Sequence, residues 1–354
     1  MLYIIHTTGQ CNLKCKYCGG SFPKQIVPWE IKYNIDSIKE IAEREEIDIC
    51  FYGGEPLLNT EFIKEVIKSV PAKRFAIQTN GLLLKKFTPK FWKSFDTVLL
   101  SIDGIREVTD FYRGEGIYNR VIEEAQFLKK SGYGGDVVAR MALAEEGDVF
   151  RDIKHLLSLK LFDHVHWQLN VVWSQVWKDF KKWSNTNYIP GIEKLIDYWV
   201  NNMEEGRVLG IAPFQGIFKR MIYGGEKPPC GAGTDMLAIS TDGRVLACPI
   251  AFEERWAELS TLDGLKKRDC RTSFIKEPCT ECEVFKECGG RCLYAYMERF
   301  WGEDGFTKIC ELDKELIFMI RGKRDRIFDL VNTGRIKKEE LFYPAYNNSI
   351  EIIP

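Results

Sequence analysis

The sequence is short of net charge, of histidine and of long apolar runs, and each shortage closes off a class of function. The chain has 50 lysines and arginines against 51 aspartates and glutamates, a formal charge of −1 over 354 residues. Such a balance gives no general attraction to nucleic acid or to an anionic membrane. The basic cluster Arg321, Lys323, Arg324 and Arg326 reads as the solvated face of a C-terminal helix rather than as a phosphate-binding patch. No apolar run is long enough to span a bilayer and no signal peptide precedes Cys11, so the expectation is a cytoplasmic protein with no membrane and no nucleic-acid partner. There are only 4 histidines. His6 is the one nearest the first cysteines, and it reads as structural or solvent-facing rather than catalytic.

Cysteine, by contrast, is plentiful. In a reducing compartment the 12 cysteines mean metal rather than disulfides, and ten of them fall into metal-like spacings, leaving Cys50 and Cys270 over. Apolar residues at 45% and charged residues at 29% describe an ordinary globular protein. A chain of this length exceeds the roughly 250–300 residues at which one core stops growing, so two domains are expected.

The first group, Cys11, Cys15 and Cys18, has three residues between the first pair and two between the second. Soft thiolates select iron–sulfur clusters, zinc or copper(I). A closed structural site uses four ligands, whereas a catalytic one leaves a position open. Three cysteines without a nearby fourth therefore point to an iron–sulfur cube with one exposed iron. A zinc knuckle is the alternative for this loop taken alone.

Short β-like runs alternate with amphipathic stretches along the first part of the chain. The runs are Leu2–Thr7, Ile47–Tyr52, Arg74–Thr79, Thr97–Ile102, Val137–Leu143 and Val165–Val171. Between them lie Ile31–Glu45, Glu61–Ser69, Tyr118–Lys130 and Phe150–Leu159, with apolar residues at helical spacing. This alternation predicts parallel βαβ units, and six of them an incomplete barrel, a partial (β/α)6 form of the eight-fold one. In barrels of this kind chemistry gathers at the C-terminal ends of the strands. Strand one runs into the cysteine loop, strand two into Gly53-Gly54-Glu55-Pro56, strand three into Asn80-Gly81 and strand four into Asp103-Gly104. After strand six, Trp167, Trp173, Trp177 and Trp183 either line a cavity or pack in the core, and core packing is the plainer reading.

The loop Cys11-Asn12-Leu13-Lys14-Cys15-Lys16-Tyr17-Cys18 resembles that of the radical S-adenosylmethionine (SAM) enzymes. The resemblance implies a 4Fe–4S cluster on Cys11, Cys15 and Cys18 whose open iron binds the amino and carboxylate groups of SAM, with Tyr17 beside the adenine. Gly53, Gly54 and Glu55 match the family's Gly-Gly-Glu motif, which holds the SAM amino group; residues without Cβ also allow close backbone approach to a ligand. Ser101 and Arg113 match a serine and an arginine that contact SAM, and Asn80 is a further candidate. Arginine suits a carboxylate because its planar fork binds both oxygens. Taken singly, the glycines and Asp103-Gly104 also read as turns, and Arg113 as a surface ion pair.

Further along, Ile192–Glu204 reads as a helix, Gly206 and Gly210 as a boundary, Ile217–Ile222 as a short helix and Leu312–Val331 as a longer one. Thr241-Asp242-Gly243 signals a hairpin. Seven cysteines follow in the order Cys230, Cys248, Cys279, Cys282, Cys288, Cys292 and Cys310. This order resembles the SPASM extension of radical SAM enzymes, a small cysteine-rich α+β domain with two auxiliary 4Fe–4S clusters. It implies Cys279, Cys282, Cys288 and Cys310 on the distal cluster, and Cys230, Cys248 and Cys292 on the nearer one. Related enzymes with a fully ligated nearer cluster carry an extra cysteine where Gly224 stands here, so that iron is either open or taken by Cys270; an open iron is expected. The division expected is 1–205 for the radical SAM barrel, 206–332 for the SPASM domain and 333–354 for a tail.

The resemblance implies reductive cleavage of SAM to a 5′-deoxyadenosyl radical that modifies a peptide or protein side chain, by thioether or carbon–carbon crosslinking. An electron donor such as flavodoxin or ferredoxin is implied as partner. Modification of a tetrapyrrole or other small metabolite is the alternative, and a non-catalytic iron–sulfur electron carrier is the alternative of another class. The SAM-contact set argues against the carrier, because electron carriage needs no SAM pocket. In sulfatase-maturing members an aspartate follows the second SPASM cysteine; here Pro249 does, which disfavours that activity. Only ten residues precede Cys11, too few for an N-terminal peptide-recognition domain. No residue is singled out as the general base.

Overall fold

The computed structural model describes residues 1–172, 177–265, 267 and 269–344. Trp173, Lys266, Arg268 and the last ten residues of the expected tail lie outside the described residues. The chain folds into two compact units that interleave in sequence. The first comprises Met1–Ser101, Asp110–Val137 and Cys230–Phe274. The second comprises Ile102–Thr109, Val138–Pro229 and the described residues from Ile275 onward.

The first unit is built on β1 (Leu2–His6), β2 (Asp48–Tyr52), β3 (Arg74–Thr79) and β4 (Thr97–Ser101). Every residue of β1 and β4 is buried, as expected of parallel strands covered on both faces, which read as continuous apolar runs. The strands lie in the order β4-β3-β2-β1, all parallel, and the helices Thr60–Ser69 and Ile117–Lys130 follow β2 and β4. On the free side of β1 lies β7 (Met236–Ile239), parallel to it with Leu2 opposite Met236 and Ile5 opposite Ile239. Then β8 (Arg244–Leu246) pairs antiparallel with β7, and β9 (Glu258–Thr261) with β8. The hairpin forms at Asp242-Gly243, where Gly243 has φ +87 and Asp242 accepts hydrogen bonds from Arg244. Arg244 also donates to the Ile26 carbonyl at 2.9 Å, tying the hairpin to the chain beyond the cysteine loop.

In the second unit, β5 (Asp136–Leu143) from Val138 onward and β6 (His164–Leu169) pair parallel from Val138↔His164 to Leu143↔Leu169. The helices Val149–Ser158, Ile189–Glu204 and Ala212–Tyr223 belong to this unit. Trp167 is wholly buried with its Nε1 donating to Tyr188, and Trp183 is buried with its Nε1 donating to the Gly147 carbonyl, so both are core residues. Gly206 closes the helix before it, and the Gly210 carbonyl accepts from the Val165 amide.

Three helices differ from expectation, and the short one expected over Ile217–Ile222 runs over Ala212–Tyr223. The stretch Ile31–Glu45 is helical only over Asp36–Ala42, because the Lys32 amide donates to the Thr241 carbonyl and Asn34 accepts from the Asp36 amide. The tertiary contact wins over helical periodicity. Leu312–Val331 is two helices, Gly302–Gly322 and Arg324–Asn332, broken at Gly322-Lys323 where glycine propagates a helix poorly. Of the basic cluster, Arg321 pairs with Glu287, Lys323 with Asp197 and Arg326 with Glu204. No described helix is long and apolar enough to cross a membrane.

Candidate radical SAM site

Beyond His6 the chain continues alongside the end of β2. The Thr7 amide donates to the Tyr52 carbonyl, the Gly54 amide to Thr8 and the Glu55 amide to Gln10 at 2.6 Å. The loop then begins at Cys11, whose amide donates to Ser21 Oγ while that hydroxyl donates back to the Cys11 carbonyl, closing residues 11–21. Within it the Cys15 carbonyl accepts from both Cys18 and Gly19, a turn that brings the third cysteine back toward the second. Cys15 is buried, Cys11 half-buried and Cys18 exposed.

Gly53 and Gly54 lie close against the chain's own backbone. A Cβ on Gly54 would stand 2.1 Å from the Gln10 carbonyl oxygen, and one on Gly53 would stand 2.4 Å from that of Thr8. These glycines let β2 press against the chain that carries Cys11. Glu55, completely buried, accepts from Leu57 N and Thr79 Oγ1 on Oε1 and from Asn80 N on Oε2. Burial lifts its carboxyl to about 7 despite these donors. The side chain thus fastens the end of β2 to the end of β3. Oε2, with one donor, keeps lone-pair capacity for a second. Asn80 donates to Asn12 Oδ1 at 2.7 Å, with Cys11 Sγ at 4.0 Å, so strand three also braces the cysteine loop.

A second group forms around Cys18. The Lys16 amide donates to the Tyr112 carbonyl at 2.8 Å, and Tyr17 lies 5.7 Å from the Tyr112 ring. The Arg113 guanidinium, buried at the end of the helix Arg106–Arg113, stacks 5.4 Å from the Tyr17 ring centroid. A hydrogen bond from Cys15, opposed by burial and helped by Arg113, holds the Cys18 thiol down at about 6. Cys11 is raised, chiefly by burial and partly by Glu55 and Cys18. Ser101 ends β4 and is buried. The structure therefore gathers Cys11, Cys15, Cys18, Tyr17, Glu55, Asn80 and Arg113 about one loop. It adds Asn12, Thr79, Ser21 and Tyr112, which no sequence pattern singled out; only the position of Thr79 beside Asn80 at a strand end hinted at any of them.

His6 is structural, as expected. It is fully buried, its Nδ1 lies 3.3 Å from the Ile239 carbonyl, and its ring meets Tyr52 and Phe252 edge-on. Burial lowers its pKa to about 4, with the backbone at Ile239 and Pro249 opposing, so the ring is neutral near pH 7. Asp103 and Gly104 are a structural turn as well. Asp103 accepts from the Ala142 amide, and a Cβ on Gly104 would stand 2.4 Å from Asp152 Cβ.

Of the later cysteines, Cys230, Cys248 and Cys270 belong to the first unit and Cys279, Cys282, Cys288, Cys292 and Cys310 to the second. Cys279 and Cys282 flank one tight turn, Cys288 ends the short helix Phe285–Cys288, and Cys310 lies on the helix Gly302–Gly322. The four act on one another. Cys310 is pushed up to about 12 by burial and Asp313, with Cys279 and Cys282 contributing; Cys288 is pushed up by burial, Asp313 and Cys310. Mutual influence of this kind places the four thiols near one another, as the ligands of one iron–sulfur cube would be. Among the described residues no three His, Cys, Asp or Glu side chains are gathered tightly enough for a single metal ion. A cube gives each thiolate an iron of its own, so its ligands stand further apart. Cys270 acts on Tyr3, whose hydroxyl donates to Glu45, whereas Pro249, next to Cys248, lies at His6. Tyr3 and His6 are three residues apart on β1 and therefore point to opposite faces of the sheet.

With this geometry in view, residues 5–159 match the Radical SAM superfamily. A cysteine-type anaerobic sulfatase-maturating enzyme of Clostridium perfringens is 24% identical over 328 residues, covering 82% of this chain and 88% of that protein. The solved structure described as native anSMEcpe with bound AdoMet superposes with a TM-score of 0.72 at 20% identity, over 94% of this chain and all of that one. Streptococcus suis SuiB bound to its precursor peptide SuiA gives a TM-score of 0.55 at 17% identity, over 84% of this chain and 72% of that chain. The fold is the mostly parallel radical SAM sheet with a cysteine-rich C-terminal region.

Proposed function

We propose that this chain cleaves SAM reductively and uses the resulting 5′-deoxyadenosyl radical to modify a peptide or protein side chain, by a thioether or carbon–carbon crosslink. The observation that carries the reading is the bracing of the Cys11–Cys18 loop from three sides: by Gly54 and Glu55 after β2, by Asn80 after β3, and by Arg113 stacked on Tyr17. In this reading Cys11, Cys15 and Cys18 hold a 4Fe–4S cluster, which when bound supplies the electron for SAM cleavage. Arg113 supplies a cation for the SAM carboxylate, Tyr17 a ring for the adenine, and Glu55 Oε2 an acceptor for the ammonium. Gly53, Gly54 and Ser101 complete the pocket. Residues 1–205 form the radical SAM part, 206–332 the auxiliary-cluster part and 333–354 a tail.

Cys279, Cys282, Cys288 and Cys310 hold one auxiliary cluster of the two. The nearer one keeps an open iron. Supporting this, Cys270 lies toward Tyr3, across the sheet from the His6 face where Pro249 adjoins Cys248. A peptide substrate is supported by the relatives, one named for sulfatase maturation and one solved with a precursor peptide. Pro249 after Cys248 offers no carboxylate, which favours a peptide modification other than sulfatase maturation. The electron donor is a small redox protein such as flavodoxin or ferredoxin, reaching the loop where Cys18 is exposed.

The test is anaerobic incubation of the reconstituted protein with dithionite and SAM. Formation of 5′-deoxyadenosine well above that of Cys15→Ala is expected. Its absence refutes the activity, and turnover of a tetrapyrrole with no peptide modified refutes the substrate class.

A further inference from the structure

Beside Cys279, Cys282, Cys288 and Cys310 lies a pair of opposite charges that no SAM chemistry uses. Arg291 and Asp313 are 4% and 2% exposed, and Arg291 Nε stands 2.7 Å from Asp313 Oδ2. Burying an ion pair costs several kcal/mol per ion in desolvation, so such a pair is weak evidence for stability and needs another reason. Arg291 has φ +61, one of three described non-glycine residues in the left-handed region, which costs of order 1–2 kcal/mol. It is the residue before Cys292, and its amide donates to the Cys288 carbonyl. Asp313 lies three residues beyond Cys310 on one helix, and positions so spaced are neighbours on its surface. The pair thus joins the Cys288–Cys292 turn to the helix that carries Cys310.

The two charges are not placed alike. Asp313 shares the helix of Cys310, one turn further on, whereas Arg291 adjoins Cys292, which is not one of the four. Neither carboxylate oxygen has an aligned hydrogen-bond donor, so the negative charge is compensated only by the ion-pair attraction. The other cations that reach these cysteines are Arg299 toward Cys279 and Lys314 toward Cys282 and Cys310; both keep substantial exposure and are screened by water. A cluster's reduction potential follows the charge and hydrogen bonding around it, and a nearby negative charge opposes the added electron.

We propose that the Arg291–Asp313 pair lowers and fixes the reduction potential of the cluster on Cys279, Cys282, Cys288 and Cys310, an inference that rests on the assignment of that cluster above. The experiment is an EPR-monitored redox titration of the full chain with Cys11, Cys15 and Cys18 replaced by alanine, leaving only the auxiliary clusters. The distal cluster is the wave that disappears in Cys279→Ala. Asp313→Asn keeps the shape of the side chain and removes its charge, and its midpoint should move upward at unchanged iron content. Asp313→Glu and Arg291→Lys keep both charges and should leave the midpoint at the parent value. An unmoved midpoint in Asp313→Asn, equal shifts in Asp313→Asn and Asp313→Glu, or loss of the cluster in Asp313→Asn would each overturn the proposal. If Cys279→Ala removes no iron and no wave, the cluster assignment itself fails, an outcome separate from these.

Discussion

Replacing Gly54 with alanine tests how the cysteine loop is held. The new Cβ would meet the Gln10 carbonyl oxygen at 2.1 Å, its carbon at 2.5 Å and the Gly9 carbonyl oxygen at 2.9 Å. All three are backbone atoms, so no rotamer change relieves the overlap. The chain at Gly9–Gln10 must retreat by about 1 Å, in an interior packed too densely to absorb the shift elsewhere. Overpacking of this kind costs about 1–3 kcal/mol. The Glu55 amide would also lose its 2.6 Å bond to Gln10, worth about 1 kcal/mol. A gain of about 0.4–1 kcal/mol from a stiffer unfolded chain offsets part of this. Gly134→Ala is the control, since a Cβ there has no atom within 4 Å and its backbone is not left-handed. In urea unfolding the two variants should differ by about 3 kcal/mol, with Gly54→Ala the less stable. Because Cys11 follows Gln10 directly, a displacement of about 1 Å should also lower 5′-deoxyadenosine formation by about 100-fold. If Gly54→Ala matched Gly134→Ala in both stability and product, the account of the loop as propped by Gly54 would be wrong.

Other changes test the rest of the site. Glu55 has a folded-state pKa of about 7, above its ordinary value of 4.5, so the stability it contributes is fully present below about pH 4 and is lost as pH rises through 7. That loss is of order 3 kcal/mol, and Glu55→Gln should flatten this part of the urea-unfolding profile between pH 5 and 8; an unchanged slope refutes it. Arg113→Leu should weaken SAM binding about tenfold or more in equilibrium dialysis, the cost of one charge-assisted contact of about 1.5–3 kcal/mol. Asp152 is fully buried and accepts from the Ile105 and Asp148 amides, so Asp152→Ala should cost about 2 kcal/mol in unfolding and leave SAM affinity unchanged. Careful anaerobic reconstitution should give about twelve irons per chain and Cys279→Ala about eight, counting four per cube.

What could be read from sequence divides by the range of the forces involved. Arg74–Thr79 is a strand over the residues expected, and the other five runs shift at their ends by one or two, because doubly covered parallel strands leave continuous apolar runs. The cysteine loop was legible because its three cysteines lie within eight residues and spacing alone limits what they can hold. The props of that loop were not. Asn12 with Asn80 and Glu55 with Thr79 are bonds between residues 68 and 24 apart, which carry no local periodicity. The glycines of Gly53-Gly54 announced a close approach, but only the fold shows that the approaching atoms belong to the chain itself. The start of the first helix was misplaced for the same reason, since the Lys32 amide is claimed by Thr241, more than two hundred residues away.

The pairing of β7 with the free side of β1 also bears on the order of events at the ribosome. Leu2–Ile5 is made first, yet the partner for that side, Met236–Ile239, is made last among the parallel strands of the first unit. At about 5–20 residues per second, residues 5 to 239 take roughly 12–47 seconds to synthesise. Throughout that interval a strand whose every residue is buried in the fold presents an unpaired side, the situation in which nascent chains bind one another or a chaperone. The cysteine loop, already complete by residue 18, waits on the same strand. Cluster insertion before that strand is made would meet a support still missing one neighbour, so loading of a cluster on this loop is expected to follow synthesis of Met236–Ile239.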